Sequence, residues 1–148
     1  MNADLSAAPE IARLAMPLGR AQYDTALPCT VGRLAGDLAD LATTLERWWD
    51  LVRFDSRDPL RIPVPAAPGS WLLVAPPDTD TFCDCRYATL LAGDAVEIQA
   101  GEAGARGSRP LTAGRVRVHG AGAGHRLRTA GLGFSVTLHT GGTRVRSV

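Results

Sequence analysis

Long apolar runs are missing from this chain of 148 residues. None approaches the about 18 consecutive residues that a membrane-spanning helix requires, so no such helix is expected. Cysteine is scarce, at three residues, too few for the disulfide-dense framework of a small secreted domain. A chain of this length buries an adequate core without such staples. Net charge is almost absent: 16 basic against 15 acidic side chains leave +1. Lysine does not occur, and every basic residue is an arginine. The arginines are scattered and alternate with acids, which excludes the clustered footprint of a nucleic-acid-binding surface. Their densest patch, GRVRVHGAGAGHRLR, reads as arginines on the solvent faces of strands. The opening stretch MNADLSAAPEIARLAMPLGRAQ carries acids early and has no long apolar block, so no secretory signal is expected. A cytoplasmic location, with reduced thiols and no membrane contact, is the corresponding expectation.

What is present is the composition of one globular domain, with 45% hydrophobic and 21% charged residues. LSAAPEIARLAM predicts a short helix with Pro9 in its first turn. From Thr30, a plausible N-cap, the residues Val31, Leu34, Leu38, Leu41, Leu45, Trp48 and Val52 recur at three-and-four spacing. That is the apolar face of an amphipathic helix packed on the rest of the fold. After Asp55 the texture changes. DPLRIPVPAAPGS is rich in proline, and beyond it short β-prone runs alternate with Gly, Pro and Asp turns. Strands are expected near 70–75, 82–85, 87–91, 95–100, 115–119, 125–129, 134–140 and 144–148, with 100–114 a flexible loop. Many short strands at this spacing predict a sandwich or barrel of antiparallel strands. Residues 1–55 form a helical segment packing on that barrel, residues 56–148 form the barrel, and together they are one domain.

The chemistry concentrates in TDTFCDCRYATLL. Side chains at i and i+2 of a strand share a face, so Cys83 and Cys85 point together, with Phe82 and Asp84 turned away. Their Cα atoms lie roughly 6.5 Å apart at about 3.3 Å per residue, the long edge of disulfide geometry, and parallel Cβ vectors disfavour that bond. Two readings remain: two ligands of one metal ion, or two small side chains packed in a core. A metal needs further donors, and the chain has three histidines. His119 falls on the arginine face of RVRVH and is expected to be exposed. His125 follows the turn GAGAG. In FSVTLH, Phe134, Val136 and Leu138 form one face. Ser135, Thr137 and His139 form a hydroxylic one suited to lining a polar cavity. Cys29, far from the pair, reads as a buried small residue.

The order of these pieces resembles the cysteine dioxygenase family of small cupins. In that family a helical part precedes a β-barrel that holds ferrous iron with three histidines. SWLLVAPPDTDTFCDC places Cys83 and Cys85, after a Trp-Leu-Leu strand and a Pro-rich turn, where that family has His-x-His. Gly114, RVRVH, Gly120-Ala-Gly122 and His125 match its second motif, with Gly120 in place of a proline. Thr137-Leu138-His139-Thr140-Gly141 matches its Ser-x-His-x-Tyr, keeping the hydroxyl and the histidine and losing the tyrosine. ERWWDLVRFD is similar to the segment between helix and barrel, and Arg61 falls near the arginine that binds the substrate carboxylate. The resemblance spans roughly residues 34 to 145.

The resemblance implies a mainly β, cupin-type antiparallel barrel (a jelly roll) with N-terminal helices. It implies one metal ion at Cys83, Cys85 and His125, with His139, Thr137 and Arg61 serving catalysis. The reaction implied is addition of dioxygen to a small thiol such as cysteine, with a small thiol or amino-acid-like molecule as the partner. Iron follows from the family, whereas two soft thiolates favour zinc or copper. The alternative is a cupin without catalysis, serving as a metal-binding, redox-sensing or interaction module, or holding no metal at all.

Overall fold

The computed structural model describes residues 30–101, 104–120, 124–142 and 144–148. The expected helix at LSAAPEIARLAM and Cys29 lie outside them. Residues 32–148 form one compact unit. Helix α1 runs Val31–Thr43 and is followed by single 3-10 turns at Leu45–Arg47 and Trp49–Leu51. The expected helix is therefore interrupted, and the reason is local. Thr43 and Thr44 both turn their hydroxyls back onto the Asp40 carbonyl at 2.9 Å, a bond that competes with continued α-helical pairing. The apolar stripe survives the break. Leu38 and Leu41 of the helix and Trp48 and Val52 beyond it are all buried in one cluster.

Among the described residues ten strands follow: β1 Leu60–Pro63, β2 Ser70–Ala75, β3 Asp80–Cys83, β4 Tyr87–Ala92, β5 Asp94–Gly101, β6 Gly104–Pro110, β7 Arg117–Val118, β8 His125–Ala130, β9 Ser135–Thr140 and β10 Val145–Ser147. They pair in two five-stranded sheets, ordered β1-β2-β9-β4-β7 and β10-β3-β8-β5-β6. All the ladders between strands are antiparallel. Successive parts of the chain thus alternate between two facing sheets, the arrangement of a double-stranded β-helix, and the expected cupin-type barrel is the fold.

Alternation along the strands sorts side chains into two clusters. On the first sheet Leu72, Val74, Tyr87, Val136 and Leu138 face α1 and the turns after it. Trp71, Leu73, Ala88 and Leu90 point between the sheets, where they meet Cys83, Ala95 and Leu127 of the second sheet. Strand β2 is buried along its whole length because it is covered on both faces. Each fully buried Leu or Val there contributes about 1.5–3 kcal/mol. The outer face of the second sheet is polar. Arg126 and Arg128 both bind the carboxylate of Asp80, Arg128 through Nε and Nη2 at 2.7 and 2.8 Å, and together they hold that carboxyl below its ordinary pKa.

Two strands were not legible. Residues 100–114, expected to be a flexible loop, include β6, which pairs with β5 from Val96↔Pro110 to Gly101↔Gly104 across a bulge. Its sequence, GARGSRP, has no apolar alternation because it is an edge strand joined to the sheet by its backbone. Strand β1 is likewise an edge, where Pro63 is tolerated. The run expected at 115–119 shrinks to Arg117–Val118. No helix among the described residues is long and apolar enough to cross a membrane.

The turn between β4 and β5 depends on Gly93, which has φ 73°. A Cβ there would collide with the carbonyl oxygen of Phe134. Gly93→Ala is expected to destabilise the protein by about 2–4 kcal/mol, from the left-handed backbone and the clash together. Urea denaturation of the variant beside wild type checks this, and a change below about 1 kcal/mol would show that the turn relaxes at low cost.

Candidate metal centre

Strand β3 ends at Cys83, yet Cys85 still points inward, and both thiols are fully buried. The extended geometry persists past the strand end through backbone bonds from Asp84 to Arg144 and from Arg86 to Thr140. The Asp84 carboxylate also accepts the Arg144 N–H at 2.9 Å. The shared face expected of the pair is therefore present, with Sγ–Sγ 3.9 Å. His125 opens β8 directly opposite Cys83 in the ladder. Its Nε2 lies 3.0 Å from Cys83 Sγ and 3.5 Å from Cys85 Sγ. His139, on β9, is flanked by Trp71 of β2 and Ala88 of β4. Its Nδ1 lies 3.1 Å from Cys85 Sγ.

Four donor atoms thus converge, all within 4.8 Å of one another. A tetrahedral ion with sulfur at about 2.3 Å and nitrogen at about 2.0–2.1 Å has donor–donor edges of about 3.4–3.8 Å. Four of the six edges are 3.0, 3.1, 3.5 and 3.9 Å and the others lie within 4.8 Å, so the cage is close to that size. Every donor residue is buried, His125 being the most exposed at 5%.

The surroundings fix the rings. Thr137 Oγ1 lies 2.7 Å from His139 Nε2. With the proton on Nε2 donated to that hydroxyl, Nδ1 presents a lone pair to the thiols. Trp71 stacks on His139, the two rings parallel to within 7° with centroids 4.2 Å apart. His119 stacks on His125 at 3.8 Å and 12°, and its Nδ1 lies 3.2 Å from Glu97 Oε1. The expectation that His119 is exposed is corrected, since its side chain is only 9% accessible. Strand β7 stops at Val118, so the alternation read from RVRVH does not extend to it. Its backbone N–H donates to the Arg86 carbonyl at 2.7 Å, drawing it to the site.

Electrostatics divide the thiols. The hydrogen bond from Cys85 lowers the pKa of Cys83, outweighing burial, and the neighbouring imidazoles act in the same direction. The same bond, then burial and the adjacent thiolate, raise Cys85. Burial lowers His139 and takes His119 down to about 4. The interior therefore holds a thiol pushed toward its charged form, beside Glu97, which is 5% exposed. No arginine among the described residues is buried with them. Buried anions without a counter-charge are costly, and a cation between the thiols would relieve that cost.

The structure brings together Cys83, Cys85, His125 and His139, with Thr137 touching the last. Arg61 is exposed on β1, with its guanidinium 4.9 Å from the centroid of the Trp71 ring. Sequence reasoning missed Glu97, His119 and Trp71 as neighbours of the site. A glutamate that shares a strand face with Ala95 and opposes the Val96 and Ile98 face was the available signal for the first.

No family model matches this chain, and no curated protein does. Among solved structures it is similar to a double-stranded β-helix protein from Klebsiella pneumoniae, at 18% identity and TM-score 0.49 over 66% of this chain and 90% of that one. It is also similar to a protein from Neisseria meningitidis, at 18% identity and TM-score 0.42 over 71% of this chain and 97% of the other.

Proposed function

We propose that this cupin binds one thiophilic metal ion, zinc before copper, through Cys83, Cys85, His125 and His139, and that the ion serves the fold rather than turnover. The observation that supports this reading is the convergence of four buried donors at near-tetrahedral spacing. Catalytic zinc keeps an open position, whereas four protein donors close the sphere as in structural sites. His139 is accordingly a ligand in this reading, not an acid or base. When bound, zinc supplies charge neutralisation for the two thiolates and cross-links β3, β8 and β9.

Ferrous iron of the kind that activates oxygen does not fit these residues. Three neutral imidazoles leave such an ion its full charge, while two thiolates cancel it and are themselves oxidisable. A thiol dioxygenase remains the second reading, supported by the order of motifs and by Arg61 lying over the Trp71–His139 stack. The two readings separate in one experiment. Metal content per chain is measured by elemental analysis on protein purified without chelator, beside Cys83→Ala/Cys85→Ala, and oxygen uptake with cysteine is followed on the same samples. Close to one zinc per chain, absent from the double variant, with no oxygen uptake, is the expected result. Iron with cysteine-dependent oxygen uptake would overturn it, as would protein that stays empty when offered zinc.

A further inference from the structure

Two buried imidazole nitrogens have no hydrogen-bond partner among the described residues: His125 Nδ1 and His119 Nε2. They belong to the stacked pair of rings, and Glu97 joins them to bring three potential donor atoms within 4.8 Å. A second ion held by all three is the first explanation to weigh, and ring geometry decides against it. An imidazole nitrogen offers its lone pair in the plane of its own ring. Two rings 3.8 Å apart and only 12° from parallel direct those lone pairs along separate planes, so one ion cannot lie in both.

The same stack has a simpler use. His139 is held by a hydrogen bond from its second nitrogen to Thr137. A metal-binding imidazole ordinarily has such a partner, which fixes its tautomer and plane. His125 has none, because its Nδ1 is unpartnered. We propose that His119, anchored by Glu97, is a positioning residue that sets the ring plane of His125 by its flat face. This rests on the four-donor site above. His119 is itself fixed at two points, its backbone N–H on the Arg86 carbonyl at 2.7 Å and its Nδ1–H on Glu97 at 3.2 Å. Rotation of the His125 ring about its Cβ–Cγ bond would drive a ring edge into that immobile face. Glu97 thereby acts on the site at one remove, through a ring rather than through a ligand.

The test uses the full chain, stripped of metal and titrated with zinc against a chromophoric chelator. The absorption bands of the Co(II)-loaded protein provide a second readout that reports donor geometry. His119→Ala is expected to weaken zinc binding by about 10–100-fold and to shift the Co(II) bands. His119→Phe combined with Glu97→Gln restores a ring face and leaves no unpaired carboxylate, and is expected to bind within about threefold of wild type. His119→Leu with Glu97→Gln fills similar space without a flat face and is expected to stay weak, so the Phe and Leu variants decide the matter even where His119→Ala does not fold. Equal affinity and identical Co(II) bands for the Phe and Leu variants would overturn the proposal while leaving the four-donor site standing. Wild-type protein that takes up no zinc or Co(II) would overturn both.

Discussion

Removing the metal from wild-type protein is expected to lower its stability by about 4 kcal/mol when the comparison is made at free zinc about a thousand times Kd. For a chain of this size that corresponds to a fall in Tm on the order of 10 °C. The reasoning starts from the donors. Cys83, Cys85, His125 and His139 come from β3, the segment after it, β8 and β9, which lie in both sheets. An ion joining them cross-links the two sheets in the folded chain, and the histidines are far from the cysteine pair in an unfolded one. Its binding free energy is therefore folding free energy. Without the ion, the buried thiol pushed toward its charged form has no buried arginine among the described residues to balance it. Cys83→Ala/Cys85→Ala removes that group and the site together. It is expected to be insensitive to chelator and to melt near the chelated wild type. Thermal unfolding with and without chelator, on both proteins, checks this. Identical melting of wild type under the two conditions would mean that the ion does not support the fold.

Trp71→Ala is expected to cost about 3–5 kcal/mol, the range for emptying a large aromatic site in a core. Trp71 is 1% exposed and packs against Leu73, Ala88 and both thiols' cluster on one side of the sheet. Its ring is also the platform under His139 at 4.2 Å, so the variant is expected to lose zinc affinity as well as stability. Trp71→Phe separates these contributions. The indole Nε1 has no hydrogen-bond partner among the described residues, so phenylalanine breaks no bond while retaining a flat face. It is expected to lose about 1–2 kcal/mol for the smaller volume and to keep most of the affinity. Urea denaturation with zinc titration on both variants provides the measurement. A Trp71→Ala protein that loses stability but binds zinc like wild type would remove Trp71 from the account of the site.

The barrel was legible because most of its strands alternate. SWLLVA, YATLL and FSVTLH each place apolar residues on the helix-facing side, and the structure follows them nearly to the residue. Two of the edge strands, β6 and β1, were not legible, because GARGSRP and LRIP are joined to their neighbours by backbone bonds that leave little trace in side-chain pattern. The helix after Thr43 was misread for a different reason. Its apolar stripe continues, but two adjacent threonine hydroxyls end the α-helical geometry beneath it. At the site, the strand period alone put Cys83 and Cys85 together. It also put His139 on an inward, hydroxylic face. The layer around the donors is a matter of sheet order and ring stacking, which a single sequence does not carry. His119 shows this most clearly. Its position depends on one backbone bond to Arg86, 33 residues earlier in the chain.

The most direct test of the four-donor account is X-ray absorption at the zinc edge on the metal-loaded protein. The account predicts two sulfur scatterers at about 2.3 Å, two nitrogen scatterers at about 2.0–2.1 Å and outer-shell scattering from two imidazole rings. His139→Ala should remove one ring from that pattern. A spectrum with one imidazole and a water oxygen, unchanged by His139→Ala, would contradict the closed site and return the centre to an open, catalytic arrangement.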